Sequence, residues 1–484
     1  MNRETALPAL KRGLPLAAAS ATLSAVFLVF FSSTTSFLNP WYGGDSGIFR
    51  LIGTAMAHGK SLYVDIWDHK GPALFAIEWL AQVICSGRNG IFLVQLVSLS
   101  VALFLLGLIA RRFLGPVLTV VALVLFLALL SPLFEFGNLS EELSLPYTMF
   151  VLWALTRPFH DRRGEVPLPL LALSGGALAF IFFLRLNNAA GIIAAFIAYF
   201  IYVLVMRRRF WVPMLVSLAG FFLVCGLFLG YFALAGSLQE MIHATFIFNF
   251  EYAKESPSGY AKLLANGYLF VTIGLAALTV LGGLVDAQRN RRYWYVLLTA
   301  ALAVVGCTAV LSSTTGYFHY LQLLVPGAAI GAILILQLFT ESRVWLAAVA
   351  ALALSAMLLV PFGASTAQRS VAGNEAPFAA NVHAILDRVP EAERGEVFTW
   401  DLPSTYYLVA DTLPVHRFFM LQEWWGNTDP IVYSELREFF AKTPPKWVVT
   451  PAKGIEQPEF SALLQAEYTP VAREGGIVLH ERKP

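Results

Sequence analysis

Long apolar runs with no polar face, such as GIIAAFIAYFIYVLV at 191–205, constrain this 484-residue chain more than any motif in it. A helix rising about 1.5 Å per residue needs roughly 20 such residues to cross the bilayer core, whereas a spanning strand needs about ten that alternate apolar and polar. The chain therefore reads as a polytopic α-helical membrane protein and not a barrel. Composition agrees: 57% of residues are hydrophobic and 13% charged, and the mean hydropathy is +0.66, far from a soluble globular balance. A net charge of +2 and the lack of a basic patch interleaved with aromatics exclude nucleic acid as a partner.

Topology follows from the arginines, because Lys and Arg collect in short cytoplasmic loops. The clusters Lys11-Arg12, Arg111-Arg112, Arg157 with Arg162-Arg163, Arg207 to Arg209, Arg289 with Arg291-Arg292, and Arg343 each lie between apolar runs. Taking all as cytoplasmic gives spans at 14–34, 91–110, 115–132, 146–157, 168–185, 189–206, 211–234, 264–285, 293–312, 321–339 and 344–361, about 11 transmembrane helices. The segments 35–90, 133–145, 186–188, 235–263, 313–320 and the tail after Phe362 then fall on the outer side. Gly71 to Cys85 is too short to count as a span and reads as a re-entrant or surface-lying helix. The run after Lys11 and Arg12 lacks a clear cleavage site and reads as an uncleaved first helix. Cys85, Cys225 and Cys307 sit in apolar stretches without ligand spacing, so they read as core residues.

Residues 1–362 thus form a transmembrane domain and 363–484 a C-terminal extracytoplasmic α/β domain. In the tail, GEVFTW and KWVVTP read as strands, NVHAILDRV and PIVYSELREFFAKT as amphipathic helices, and GASTAQRSVAGNEAP as the linker.

Polar residues gather in the outer segments. Asp45, His58, Lys60, Asp65, Asp68, His69 and Lys70 share one loop, where charge is costly unless solvated, paired or used. Asp45 stands where a helix over IFRLIGTAMAHG would begin, so its position alone leaves capping and catalysis both open. Asp65 and Asp68 read as partners of Lys60 or Lys70 that fix the loop. Asn138, Glu141 and Glu142 form a second acidic turn, in which Ser140 is the expected cap and the adjacent carboxylates are candidates for orienting an acceptor or holding a metal. Arg185 with Asn187 and Asn188, and His319 and Tyr320 with Tyr317, mark the ends of two spans; snorkelling and an aromatic belt are their bland readings. His243 and the pair Glu251 and Lys254 are similar surface cases.

The ordered set GGDSGIF, GKSLYVDIWDHKGP, GNLSEELSLP, FFLRLNN and GYFHYLQLLVP resembles the GT-C membrane glycosyltransferases, in the branch related to aminoarabinose transferase and protein O-mannosyltransferases. The resemblance covers roughly the first 330 residues. It implies a polyprenyl-phosphate-linked sugar donor, usual inversion at the anomeric centre, and a first outer acidic loop facing a second. It points to Asp45 as base, to Lys70 with His69 at the lipid-linked phosphate, and to His319 and Tyr320 near the donor lipid; Arg185 is a donor-phosphate candidate by its guanidinium fork, and Glu141, Glu142 and Asn138 stay candidates for orienting an acceptor or holding a metal. A carboxylate to take the acceptor proton and a cation for the leaving phosphate are what such a transfer needs. Some members use a divalent cation and others do not; this sequence lacks an Asp-x-Asp pair. The expected acceptor is a hydroxyl of a cell-envelope glycan, lipid or protein, and the expected location is the inner membrane with the site outside. A transporter or lipid-linked-sugar flippase is the rival reading, disfavoured because the ionisable residues gather at one surface and not inside the spans. A non-catalytic scaffold would leave the acidic loops without a role.

Overall fold

The computed structural model describes residues 3–36, 38, 43–160, 165–206, 209–255, 264, 267–312, 316–339, 343–372 and 376–484. Arg162, Arg163, Arg207 and Arg208 of the expected cytoplasmic clusters, and the side chain of Lys254, lie outside this set. The chain forms two compact units, one from 1–32, 92–231 and 256–368, the other from 33–91, 232–255 and 369–484.

Among the described residues nine helices are long and apolar enough to cross a bilayer: Gly13–Phe31, Arg88–Ala110, Pro116–Leu133, Leu186–Met206, Trp211–Leu234, Tyr268–Asn290, Tyr293–Leu311, Phe318–Leu336 and Val344–Ser365. The other two expected spans are shorter helices, Ser140–Leu155 and Leu168–Leu184, of 16 and 17 residues. The protein is an integral membrane protein. Its helices differ in what they face: 89% of the Phe318–Leu336 window is buried, against 11% for Trp211–Leu234. Phe222, Leu223 and Leu227 on the latter are more than 60% exposed, a surface suited to lipid.

Lipid tails are as apolar as leucine, so helices in a bilayer associate through close packing and not through the hydrophobic effect. The first unit does this with glycine. A Cβ built on Gly331 would lie 2.2 Å from the Leu278 carbonyl oxygen, and one on Gly282 would lie 2.3 Å from the Gly331 Cα. The helices Tyr268–Asn290 and Val325–Leu336 therefore touch backbone to backbone. Gly331→Ala is expected to destabilise the protein by about 1–3 kcal/mol, the range for overpacking. Gly274→Ala, where a Cβ meets nothing within 4 Å, is expected to stabilise by up to about 1 kcal/mol through helix propensity. Thermal unfolding in detergent reads both signs.

At one end of the same pair of helices Asp286, fully buried, accepts hydrogen bonds from Asn290 Nδ2 and Gln337 Nε2 at 2.8 Å each and from Arg292 Nε at 3.0 Å. A buried charge is tolerated when it is paired and its lone pairs are used.

In the second unit the tail carries a four-stranded sheet of order β1-β2-β4-β3. The strands are β1 Val397–Thr399, β2 Trp447–Pro451, β3 Tyr468–Glu474 and β4 Ile477–Arg482. β1 and β2 are parallel, and the other pairings are antiparallel. β1 and β2 are the two strands read from the sequence, and the two expected helices are present as Ala376–Leu386 and Ile431–Lys442. The hairpin of β3 and β4 went unread, although Gly475-Gly476 between alternating residues is its signal. The expected linker is not a loop where it is described: the helix Val344–Ala372 runs into it. Alanine, glutamine and arginine there favour helix, which outweighs the punctuation expected from small residues.

Candidate functional site

The polar loop of the second unit is framed by two helices. The helix Asp45–Ala57 has Gly44 at its cap position and Asp45 as its first residue, so the capping reading of Asp45 does not hold, although an acid there suits the helix dipole. The helix Pro72–Ile84 starts with proline in its first turn and spans 13 residues, about 20 Å of rise. The sequence Gly71-Pro72 sets its start. The two helices pack tightly because Gly53 faces the Glu78 backbone, where a Cβ would meet an atom at 2.7 Å.

Between them Lys70 Nζ lies 3.4 Å from Asp68 Oδ1 and 4.0 Å from Asp45 Oδ2, and 5.2 Å from the Phe49 ring centroid. The Lys70 side chain is 11% exposed, that of Asp68 1% and that of Asp45 43%. Burial pushes the Asp68 carboxyl above the ordinary carboxylate range, and the Lys70 charge pulls against it. Asp68 also accepts the Lys70 backbone N–H at 3.0 Å. The three side chains thus divide into a buried anchor, a shared cation and a partly open carboxylate. Asp65 takes a structural part, accepting the Ser61 N–H at 2.8 Å.

His69 stacks on Phe248, with ring centroids 5.4 Å apart, and meets Trp424 edge-on at 5.5 Å. Its carbonyl accepts a hydrogen bond from Asn249 Nδ2 at 2.7 Å. His243 Nε2 lies 3.0 Å from Asp429 Oδ2, so it pairs with the tail. Asp429 is held below the usual carboxylate range: burial, the largest single influence, would raise it, and the His243 hydrogen bond, the Ile431 N–H and the His243 and Arg417 charges together outweigh that.

The first unit holds the other predicted residues. Leu139, not Ser140, takes the cap position of the helix Ser140–Leu155. Ser140 Oγ instead donates to Glu141 Oε2 at 3.0 Å. The end of the helix is closed by Glu142, its third residue, which reaches back to the Asn138 N–H at 2.8 Å, one residue before the cap-position N–H that a capping box uses. Both Glu142 oxygens also accept from Gln95 Nε2, at 3.1 and 2.9 Å. Gly137 and Asn138 have φ of 77° and 57°, the left-handed turn that brings the chain round, where Gly and Asn are the favoured residues.

Glu141, 2% exposed, accepts from Arg185 Nη1 at 2.6 Å. Arg185 Nη2 donates to the Tyr320 hydroxyl at 2.8 Å, and the guanidinium carbon stands 4.5 Å from the Tyr320 ring centroid. His319 Nδ1 lies 2.8 Å from Glu135 Oε2, and its ring centroid is 4.5 Å from that of Tyr320. Glu141, Arg185, Tyr320 and His319 are therefore one network, with Glu135 a member that no motif marked. Asn188, 1% exposed, has no partner for either amide atom among the described residues and stands beside a small cavity lined also by Ser144, Thr148 and Gln322. Asn187 is not part of this lining.

Among the described residues no three His, Cys, Asp or Glu side chains form a cation-binding group. Glu141 and Glu142, the candidates for orienting an acceptor or holding a metal, are engaged by Arg185 and Gln95.

No family model matches the chain, and no curated protein matches its sequence. Among solved structures, ArnT from Cupriavidus metallidurans bound to undecaprenyl phosphate aligns with 95% of this chain and 97% of its own at a TM-score of 0.61 and 14% identity. AglB, an archaeal oligosaccharyltransferase from Archaeoglobus fulgidus in complex with an inhibitory peptide and a dolichol-phosphate, aligns at a TM-score of 0.49 and 13% identity over 90% of this chain and 69% of its own. With nearly all of both chains superposed in the first comparison, this protein has the fold of the GT-C membrane glycosyltransferases that its motifs resemble.

Proposed function

We propose that the protein transfers a sugar from a polyprenyl-phosphate-linked donor to a hydroxyl acceptor of a cell-envelope glycan, lipid or protein, on the outer face of the inner membrane and with inversion. One observation carries this reading: Lys70 stands between a buried Asp68 and a partly open Asp45 at the start of a helix. In a single displacement the acceptor oxygen forms its bond to the anomeric carbon while the bond to the phosphate oxygen breaks. Asp45 takes the hydroxyl proton, and the phosphate leaves with the bonding pair. Lys70 neutralises that phosphate as a point cation. A donor phosphate that takes up the Lys70 charge loosens its hold on Asp45 and leaves that carboxylate for its task, while Asp68 anchors the ammonium from the other side.

In the first unit, Arg185 with Tyr320 and His319 is the proposed anion-binding group, and Glu141 with Asn138 the acceptor-orienting turn. Glu142 is the helix-closing member of that turn. The transporter reading lacks an observation in its favour, because the buried Asp286 is already neutralised by Arg292. Lipid extracted from the purified protein and identified by mass spectrometry tests the proposal. A polyprenyl phosphate, with or without its sugar, is expected; its consistent absence, with only bulk phospholipid recovered, would turn the reading away from this donor.

A further inference from the structure

The reaction as proposed uses no residue of the tail, yet the tail is bonded to the loop that carries Lys70. Arg417 Nη1 donates to the Tyr63 carbonyl at 2.7 Å. Its Nε donates to Glu435 Oε2 at 2.8 Å, and its Nη2 donates to Glu435 Oε1. In return the Trp67 N–H donates to the Arg417 carbonyl at 3.2 Å. The Trp67 ring packs against Phe418 and Trp425, with centroids 5.4 and 4.8 Å apart.

Tyr63 is the residue that makes these contacts matter. It is fully buried and has φ of 68°, a left-handed backbone that a bulky side chain adopts only where its surroundings over-determine it. Its N–H donates to the Ile66 carbonyl at 2.7 Å, its carbonyl accepts from Arg417 Nη1, and its hydroxyl donates to the Lys70 carbonyl at 2.7 Å. A continuous path of bonds therefore runs from Glu435 through Arg417 and Tyr63 to the backbone of Lys70. We infer that Arg417 is a positioning residue: by fixing the Tyr63 turn it sets where the Lys70 ammonium stands, and the C-terminal domain is thereby part of the donor-phosphate site. This rests on the phosphate role proposed for Lys70.

The arrangement needs arginine. Two guanidinium nitrogens grip one carboxylate side by side while the third points at a carbonyl, a fixed planar fork that lysine cannot copy. Packing alone would be served by an apolar side chain of similar length, and charge alone by lysine. The two conservative replacements therefore separate positioning from both.

The experiment measures affinity of the full-length, detergent-purified protein for undecaprenyl phosphate by native mass spectrometry. Lys70→Met, Arg417→Met and Arg417→Lys are each expected to lower affinity about tenfold, and Tyr63→Phe by about threefold, the double variant Arg417→Met/Lys70→Met falling no further than Lys70→Met, as for residues acting through one another. Wild-type affinity in a folded Arg417→Met protein, rescue by Arg417→Lys, or losses that add in the double variant would each overturn the inference. Should Arg417→Met fail to fold, Tyr63→Phe, which removes a single hydroxyl, carries the same test: unchanged affinity there overturns it. An unchanged Lys70→Met fails the donor reading itself, a distinct result from a silent Arg417.

Discussion

Replacing Asp45 with asparagine is expected to cut sugar transfer roughly a thousandfold, within the range that loss of a positioned general base produces. The substitution keeps the shape of the side chain and its place as the first residue of the helix Asp45–Ala57, and removes only the ability to accept a proton. Its structural cost is small, because the side chain is 43% exposed; losing a favourable charge at a helix N-terminus costs about 0.3–1 kcal/mol. A folded but inactive protein is therefore the predicted outcome, read by transfer from a polyprenyl-phosphate sugar alongside thermal unfolding. Turnover within about tenfold of wild type, where a base contributes at least a hundredfold, would remove Asp45 from that role. No other carboxylate of the loop stands ready to replace it: Asp68 is buried against Lys70 and Asp65 is engaged by the Ser61 N–H.

How much of this was legible in the sequence depended on distance along the chain. Apolar run length is a one-dimensional signal, and it located the helices well; it was weakest at Ser140–Leu155, expected at 146–157, most of whose side chains are buried within the protein. Pairs close in sequence were also readable, and Asp68 with Lys70 was among the expected partners. The cap at Ser140 was misjudged for a local reason. Serine competed with a left-handed Gly137-Asn138 turn and with the reach of Glu142, and backbone geometry settled which residue closed the helix end. Pairings across the chain left no trace. Glu135 meets His319 from 184 residues away, and Arg417 reaches Tyr63 across 354. Neither carries a spacing or a motif, and only tertiary packing brings them together. Gln95 gave a fainter hint, a fully buried amide in the middle of an apolar helix, which in such a place needs a polar partner and finds Glu142.

Arg185→Met is expected to be the most destabilising change among the predicted site residues. Glu141 is 2% exposed and Arg185 holds it at 2.6 Å, so removing the arginine leaves a carboxylate with its charge uncompensated in a dry setting. Breaking a buried pair from one side costs about 3–5 kcal/mol, enough to lower the melting temperature visibly in detergent. The second substitution Glu141→Gln should return most of that stability, since a neutral amide no longer demands a counter-charge and its oxygen can still accept from Ser140. What it returns of activity decides the role of Arg185. With Glu141→Gln alone as the activity baseline, because Glu141 is itself proposed to orient the acceptor, the double variant matches that baseline in transfer and melting temperature if the guanidinium serves only to neutralise Glu141. If the guanidinium and Tyr320 form an anion-binding group, as proposed, the double variant is stable yet impaired at least about tenfold, the usual scale for losing one charge-assisted contact to a phosphate or developing anion. Measuring both quantities on the same preparations separates the snorkelling arginine at a helix end from one that handles substrate.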